Sequence, residues 1–186
     1  RYIEAVDSVR AYLVQGLEQA DQLHRLAVAI NSLGMRLNGK GKSKQALLAG
    51  RIALELVEEL VLNWPSRSQY IFGLSGIVSG LATILHSQGK HRLAEDFEGR
   101  VIGLLEGLIR ADPNDNELRF GLATVYLTIA RTGRSKKRPS RLKDILHSAK
   151  GILQQLVRAE PLQERYMQAL VDCQNQLRRI GAYTMN

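Results

Sequence analysis

This sequence lacks most of what other architectures need. A single cysteine, Cys173, in 186 residues excludes an intramolecular disulfide framework and suits a reducing compartment such as the cytoplasm. Only four prolines, at 65, 113, 139 and 161, interrupt the chain. Aromatic residues are 5% of the total while Leu, Ala, Ile and Val abound, which favours a helical core over a sheet. The period-two alternation of strands is missing. No window holds eighteen apolar residues in succession, so no transmembrane segment is expected. The chain opens on Arg1, without Met and without a charged-then-apolar leader, as a segment excised from a longer protein would. Acid is scarce as well: 18 Asp and Glu stand against 26 Lys and Arg, a net charge of +8.

What the sequence does have is an internal repeat. Pro65, Pro113 and Pro161 stand 48 residues apart, and Phe72-Gly73-Leu74 falls on Phe120-Gly121-Leu122 at the same offset. Leu33, Leu81, Ile129 and Leu177 share one register position, and Leu60, Leu108 and Leu156 another. A fixed offset kept over several copies is the mark of a repeat architecture. Each copy reads as two helices. Residues 67–87 carry an apolar stripe at Ile71, Leu74, Ile77, Val78, Leu81 and Leu85, and 92–111 carry another through Leu93, Ala94, Phe97, Val101 and Leu105. Gly-containing turns over 38–44 and 86–92 separate them, and Asp112-Pro113 and Glu160-Pro161 are expected to restart the next helix, with Pro in its first turn.

The fold class predicted is all-α: a right-handed solenoid of antiparallel helical hairpins forming a single helical-repeat domain over 1–186. Its hairpins are 21–64, 65–112 and 113–160, with a half-repeat at 1–16 and another at 161–180. The first half-repeat follows from shifting by 48, which sets Ala5, Val9, Tyr12 and Leu13 on Ala53, Val57, Leu60 and Val61. Exposed end repeats would also allow a homo-oligomer.

Leu33-Gly34, Leu37, Gly41, Ala46 and Ala53 have the spacing of the tetratricopeptide repeat, and Leu81-Ala82, Leu85, Gly89, Ala94 and Val101 repeat it. The chain resembles that family over nearly its whole length. Small residues at 34, 46 and 53 would let paired helices approach closely. It departs from the pattern where Ile30 and Val78 replace a large aromatic, where the period is 48 rather than 34, and where the closing Pro comes seven residues late. Such long-helix arrays are similar to those attached to bacterial signalling ATPases and serine/threonine kinases. The resemblance implies a protein-binding scaffold and a concave face lined by first helices. By register that face carries Asn31, Ser79 and Leu127, then Met35, Thr83 and Arg131, then Asn38, His86 and Arg134.

Chemistry is hard to find. The fragment 41-GKS-43 lacks the earlier Gly of a phosphate-binding loop, since position 36 is Arg, and it follows a helix rather than a strand. Histidines 24, 86, 91 and 147 never recur at i,i+4, so no metal pair is expected. Glu58-Glu59 and Glu95-Asp96 are neighbours in sequence and diverge on a helix. Cys173 shares a register position with Ala29, Ile77 and Val125 and reads as a small buried hydrophobe. The chain is expected to be no enzyme and to need no cofactor. Gly76 and Gly80, one turn apart, suggest either close helix packing or a shallow groove. Trp64 reads as a staple on the next helix or as an exposed anchor for a partner.

Charge is the remaining signal. Windows 38–44, 86–92 and 131–143 hold twelve of the 26 basic residues and no acid, while the rest of the chain has fourteen basic and eighteen acidic residues. Lys40, Lys42, Lys44, Lys90, Arg92, Lys136, Lys137, Arg138 and Arg141 would line one edge of a stacked array. Three readings stand: a nucleic-acid or anionic-membrane surface, a steering edge for an acidic protein or another domain of the parent protein, and a solvated set of turns. The windows have no aromatic for base stacking. The leading expectation is a non-catalytic interaction scaffold within a larger signalling or regulatory protein; the alternative is a nucleic-acid-binding helical repeat.

Overall fold

A computed structural model describes residues 16–132 and 139–183. Among them are seven helices and no strand. They are α1 (Leu17–Gly39), α2 (Ser43–Asn63), α3 (Ser68–Ser87), α4 (His91–Ala111), α5 (Asn116–Thr132), α6 (Pro139–Ala159) and α7 (Glu164–Tyr183). The chain is therefore all-α. Apart from Gly16, the half-repeat expected over 1–16 lies outside the described residues.

The chain divides into two compact units, Arg1–Val101 and Ile102–Asn186. In the first, α1 packs on α2, α2 on α3, and α1 also meets α3. In the second, α6 packs on both α5 and α7, and α5 touches α7. Each core is built from the apolar stripes that the helical period gathers on one face. Val57, Leu60, Tyr70, Leu74 and Leu85 are fully buried in the first unit; Leu105, Val125, Leu146, Leu156 and Cys173 are fully buried in the second. By length and composition, α3 is the one described helix apolar enough to cross a membrane, and 61% of that window is buried inside the protein.

Two kinds of turn recur at the 48-residue offset. After α1, Lys42 donates its N–H to Leu37 O at 2.9 Å and Gly41 donates to Asn38 O at 3.0 Å; after α3, Lys90 donates to Leu85 O at 2.9 Å and Gly89 to His86 O at 3.1 Å. These paired bonds satisfy carbonyls that the last helical turn leaves open, and they require a left-handed residue between them. Gly41 at φ 72° and Gly89 at φ 71° supply it. The cationic turns are thus narrower than the sequence windows: only Lys40–Lys42 and Gln88–Lys90 lie between helices, and α5 and α6 extend to Thr132 and from Pro139.

The second kind corrects an expectation. Pro65, Pro113 and Pro161 do not occupy first helical turns; α3, α5 and α7 begin three residues later. Arg67 N–H donates to Trp64 O at 3.1 Å, Asp115 to Asp112 O at 3.3 Å and Gln163 to Glu160 O at 3.1 Å, which puts each Pro second in a four-residue turn. Its fixed φ suits that position as well as a helix start. Trp64 packs edge-on against Tyr70 with ring centroids 6.3 Å apart and is half-buried, the stapling arrangement.

Candidate interaction surface

Helices α1 and α3 meet along a seam that opens at Asp21 and, from His24 onward, advances seven residues, two turns, at each step. Tyr70 donates its hydroxyl to Asp21 Oδ1 at 2.6 Å, and Gln69 donates to the same oxygen. A Cβ built on Gly73 would lie 2.3 Å from His24 Nε2, and one on Gly80 would lie 2.4 Å from Asn31 Oδ1. Ser87 then donates to Asn38 Oδ1 at 3.1 Å. His24, Asn31 and Asn38 thus face Gly73, Gly80 and Ser87, three small residues on one side of α3. Burial holds His24 below the ordinary imidazole range, against an opposite push from Asp21. The Tyr70 hydrogen bond is the foremost cause that lowers the pKa of the Asp21 carboxyl; the same hydroxyl, desolvated and facing that carboxylate, is pushed up to about 12. Gly76, by contrast, has nothing within 4 Å of a built Cβ. The two glycines singled out together in the sequence therefore have different roles, with Gly80 packed and Gly76 facing open space.

The residues expected on the concave face divide accordingly. Asn31 and Asn38 are half-buried in the α1–α3 contact. Met35 is exposed. Thr83 is half-buried and gives its hydroxyl to Ser79 O at 2.8 Å. His86 sets Nδ1 2.9 Å from His91 Nδ1 across the α3–α4 turn. Spacing rules for one helix do not see that pair, since a turn rather than a helical repeat brings the rings together. Among the described residues no three His, Cys, Asp or Glu side chains gather as a metal site would need. Arg131, exposed on α5 in the second unit, donates to Thr128 Oγ1 at 3.3 Å. Arg134 lies outside the described residues.

The cationic turns of the first unit lie side by side. Gln88 Nε2 donates to Ser43 O at 3.1 Å, and Ser87 bonds to Asn38. Lys40, Lys42, Lys44, Lys90 and Arg92 are all exposed around these links. Neither α2 nor α4 has an acid in its first turn. Arg141 is half-buried on α6 in the second unit; Lys136, Lys137 and Arg138 lie outside the described residues.

The second unit holds a comparable seam between α5 and α7. Arg165 forms an ion pair with Glu117 and lies over the rings of Phe120 and Tyr166, 5.2 and 5.0 Å from their centroids. The Glu117 bond is the foremost cause that raises the Arg165 pKa further. Cys173 donates its thiol to Leu146 O at 3.2 Å, and burial pushes the thiol up to about 11. Only the thiolate is the nucleophile, so in the native protein Cys173 should react with a thiol reagent at pH 8 far more slowly than in denaturant, as absorbance at a chromogenic disulfide would show.

Sequence reasoning missed an ion pair with one buried member. Glu58 on α2 is only 3% exposed, and Arg100 on α4 donates to its Oε2. Burial raises the Glu58 carboxyl above the ordinary range, and Arg100 opposes that shift. The available signal was an acid beside Val57 and Val61 on the apolar stripe of α2.

The chain matches no protein-family model and no curated protein.

Proposed function

We propose that the chain is a non-catalytic, tetratricopeptide-like helical-repeat module, a right-handed solenoid whose task is to bind an acidic segment of another protein or of its own parent signalling protein. The supporting observation is that residues one period apart meet across first helices. Gln69 bonds to Asp21 and Arg165 bonds to Glu117, four residues that share a single register position. Stacking of like helices at a fixed offset is the contact from which a solenoid is built. In this reading α3 is a core helix rather than a membrane span, and the buried, high-pKa Cys173 belongs to a cytoplasmic protein. The binding surface is the exposed part of α1 and α3 together with Lys40, Lys42 and Lys90 on the turns and Arg92 at the start of α4. Exposed cations on fixed turns attract acidic partners and speed their encounter.

Fluorescence anisotropy tests this with three labelled probes: a twenty-residue poly-glutamate peptide, single-stranded RNA and duplex DNA, each at low and raised salt. The peptide should bind, and Lys40→Ser, Lys42→Ser, Lys90→Ser and Arg92→Ser combined should weaken it roughly tenfold while circular dichroism stays unchanged. RNA or DNA binding more tightly than the peptide, with the same four residues required, would transfer the edge to the nucleic-acid reading. No binding of any probe at low salt removes both.

A further inference from the structure

Helix α1 leaves open a face that its counterpart buries. Leu26 and Leu33 are 49% and 45% exposed, Ala29 is exposed between them, and Ile30 and Leu37 are half-buried beside them. One period later the same register positions hold Leu74, Ile77, Val78, Leu81 and Leu85, each no more than 2% exposed. The difference lies in the neighbour. In α3 this face receives α2, the helix just before it, and Gly50 of α2 comes so close that a Cβ there would meet Leu81 Cδ1 at 2.8 Å. No described helix precedes α1. A row of large aliphatic residues left to water forgoes roughly 25 cal/mol for each Å² of apolar surface it could bury.

We propose that this face of α1 is the docking surface for residues 1–15 of the same chain. The repeat register selects that occupant. Ala5, Val9, Tyr12 and Leu13 stand 48 residues before Ala53, Val57, Leu60 and Val61, and all four of those are fully buried on α2. Gly16, the residue that follows this segment, has a φ of 130°, off the helical path and in the region that favours glycine. Shifting the Gly50–Leu81 approach by one period places Tyr2 against Leu33. The surface is then closed to partners, which leaves recognition to the exposed part of α1 and α3, whatever the partner is.

Mild oxidation of the chain carrying Tyr2→Cys and Leu33→Cys tests it, with the buried Cys173 left in place. The expected product is a disulfide within one chain, seen as faster migration on a non-reducing gel with no dimer. In parallel, Leu33→Asp should lower the Tm by roughly 5 °C, the shift expected when a buried leucine contact in a chain of this size becomes a charge. Val28→Asp, on another exposed side of α1, should leave the Tm nearly unchanged. Disulfide-linked dimers would assign the face to a second copy and overturn the proposal. So would the absence of any cross-link, or a Leu33→Asp chain as stable as Val28→Asp.

Discussion

Arg100→Met should destabilise the protein by about 3 kcal/mol at neutral pH, the low end of what removing one partner of a buried ion pair costs. The low end applies because Arg100 is itself 53% exposed while the Glu58 side chain is 4% exposed. The loss comes from Glu58, whose second oxygen, Oε1, is buried with no hydrogen-bond partner. Without the guanidinium the carboxylate keeps its desolvation cost and loses its compensation. Replacing both residues, Glu58→Met with Arg100→Met, should restore stability to within about 1 kcal/mol of the parent, because an apolar pair of similar shape carries no such cost. Urea unfolding of the parent, both single variants and the double variant measures the coupling directly.

The same pair predicts a pH dependence. Glu58 has a folded-state pKa raised above its unfolded one, so between the two values the native chain binds more protons than the unfolded chain. Stability from this group is therefore fully present below the unfolded carboxylate pKa and is lost as pH rises through the folded one. In Arg100→Met the raising cause acts unopposed, so the deficit relative to the parent should shrink when unfolding is repeated in mild acid. A deficit that grows in acid would mean that Arg100 favours the protonated form of Glu58, the reverse of the opposition assigned to it here.

Gly80→Ala and Gly76→Ala should change stability in opposite directions. The two sites lie one turn apart on α3, and each gains the same helical propensity, about 1 kcal/mol, when Gly becomes Ala. At Gly76 nothing stands in the way, so the whole gain should be realised. At Gly80 the new methyl would lie 2.4 Å from Oδ1, 2.9 Å from Nδ2 and 3.0 Å from Cγ of Asn31. The whole amide must move rather than one flexible tip, and overpacking of this kind costs roughly 1–3 kcal/mol, leaving a net loss. Melting curves of the two variants should differ by several degrees. Asn31→Ala added to Gly80→Ala should recover most of the loss, since it removes the obstructing amide. A Gly80→Ala chain more stable than the parent would show that α1 and α3 are not held so closely.

The sequence alone determined the helical class and the places where helices end. Both follow from short-range physics: apolar residues every three or four positions make one sticky face, and Gly41 and Gly89 occupy a backbone angle that other residues avoid. Even there the local rules had limits. Pro65 fits a helix start and a turn equally well, and the bond from Arg67 N–H to Trp64 O shows that the turn is used. The tertiary structure decided everything that depends on which faces meet. It separated Gly80 from Gly76, joined His86 to His91 across a turn, and placed Glu58 in the core with Arg100. It also drew Asn31 and Asn38 into a helix contact and brought two cationic turns together through Gln88 and Ser43. Those outcomes rest on distances between residues far apart in the chain, and a repeat register gives the order of such residues but not their separation.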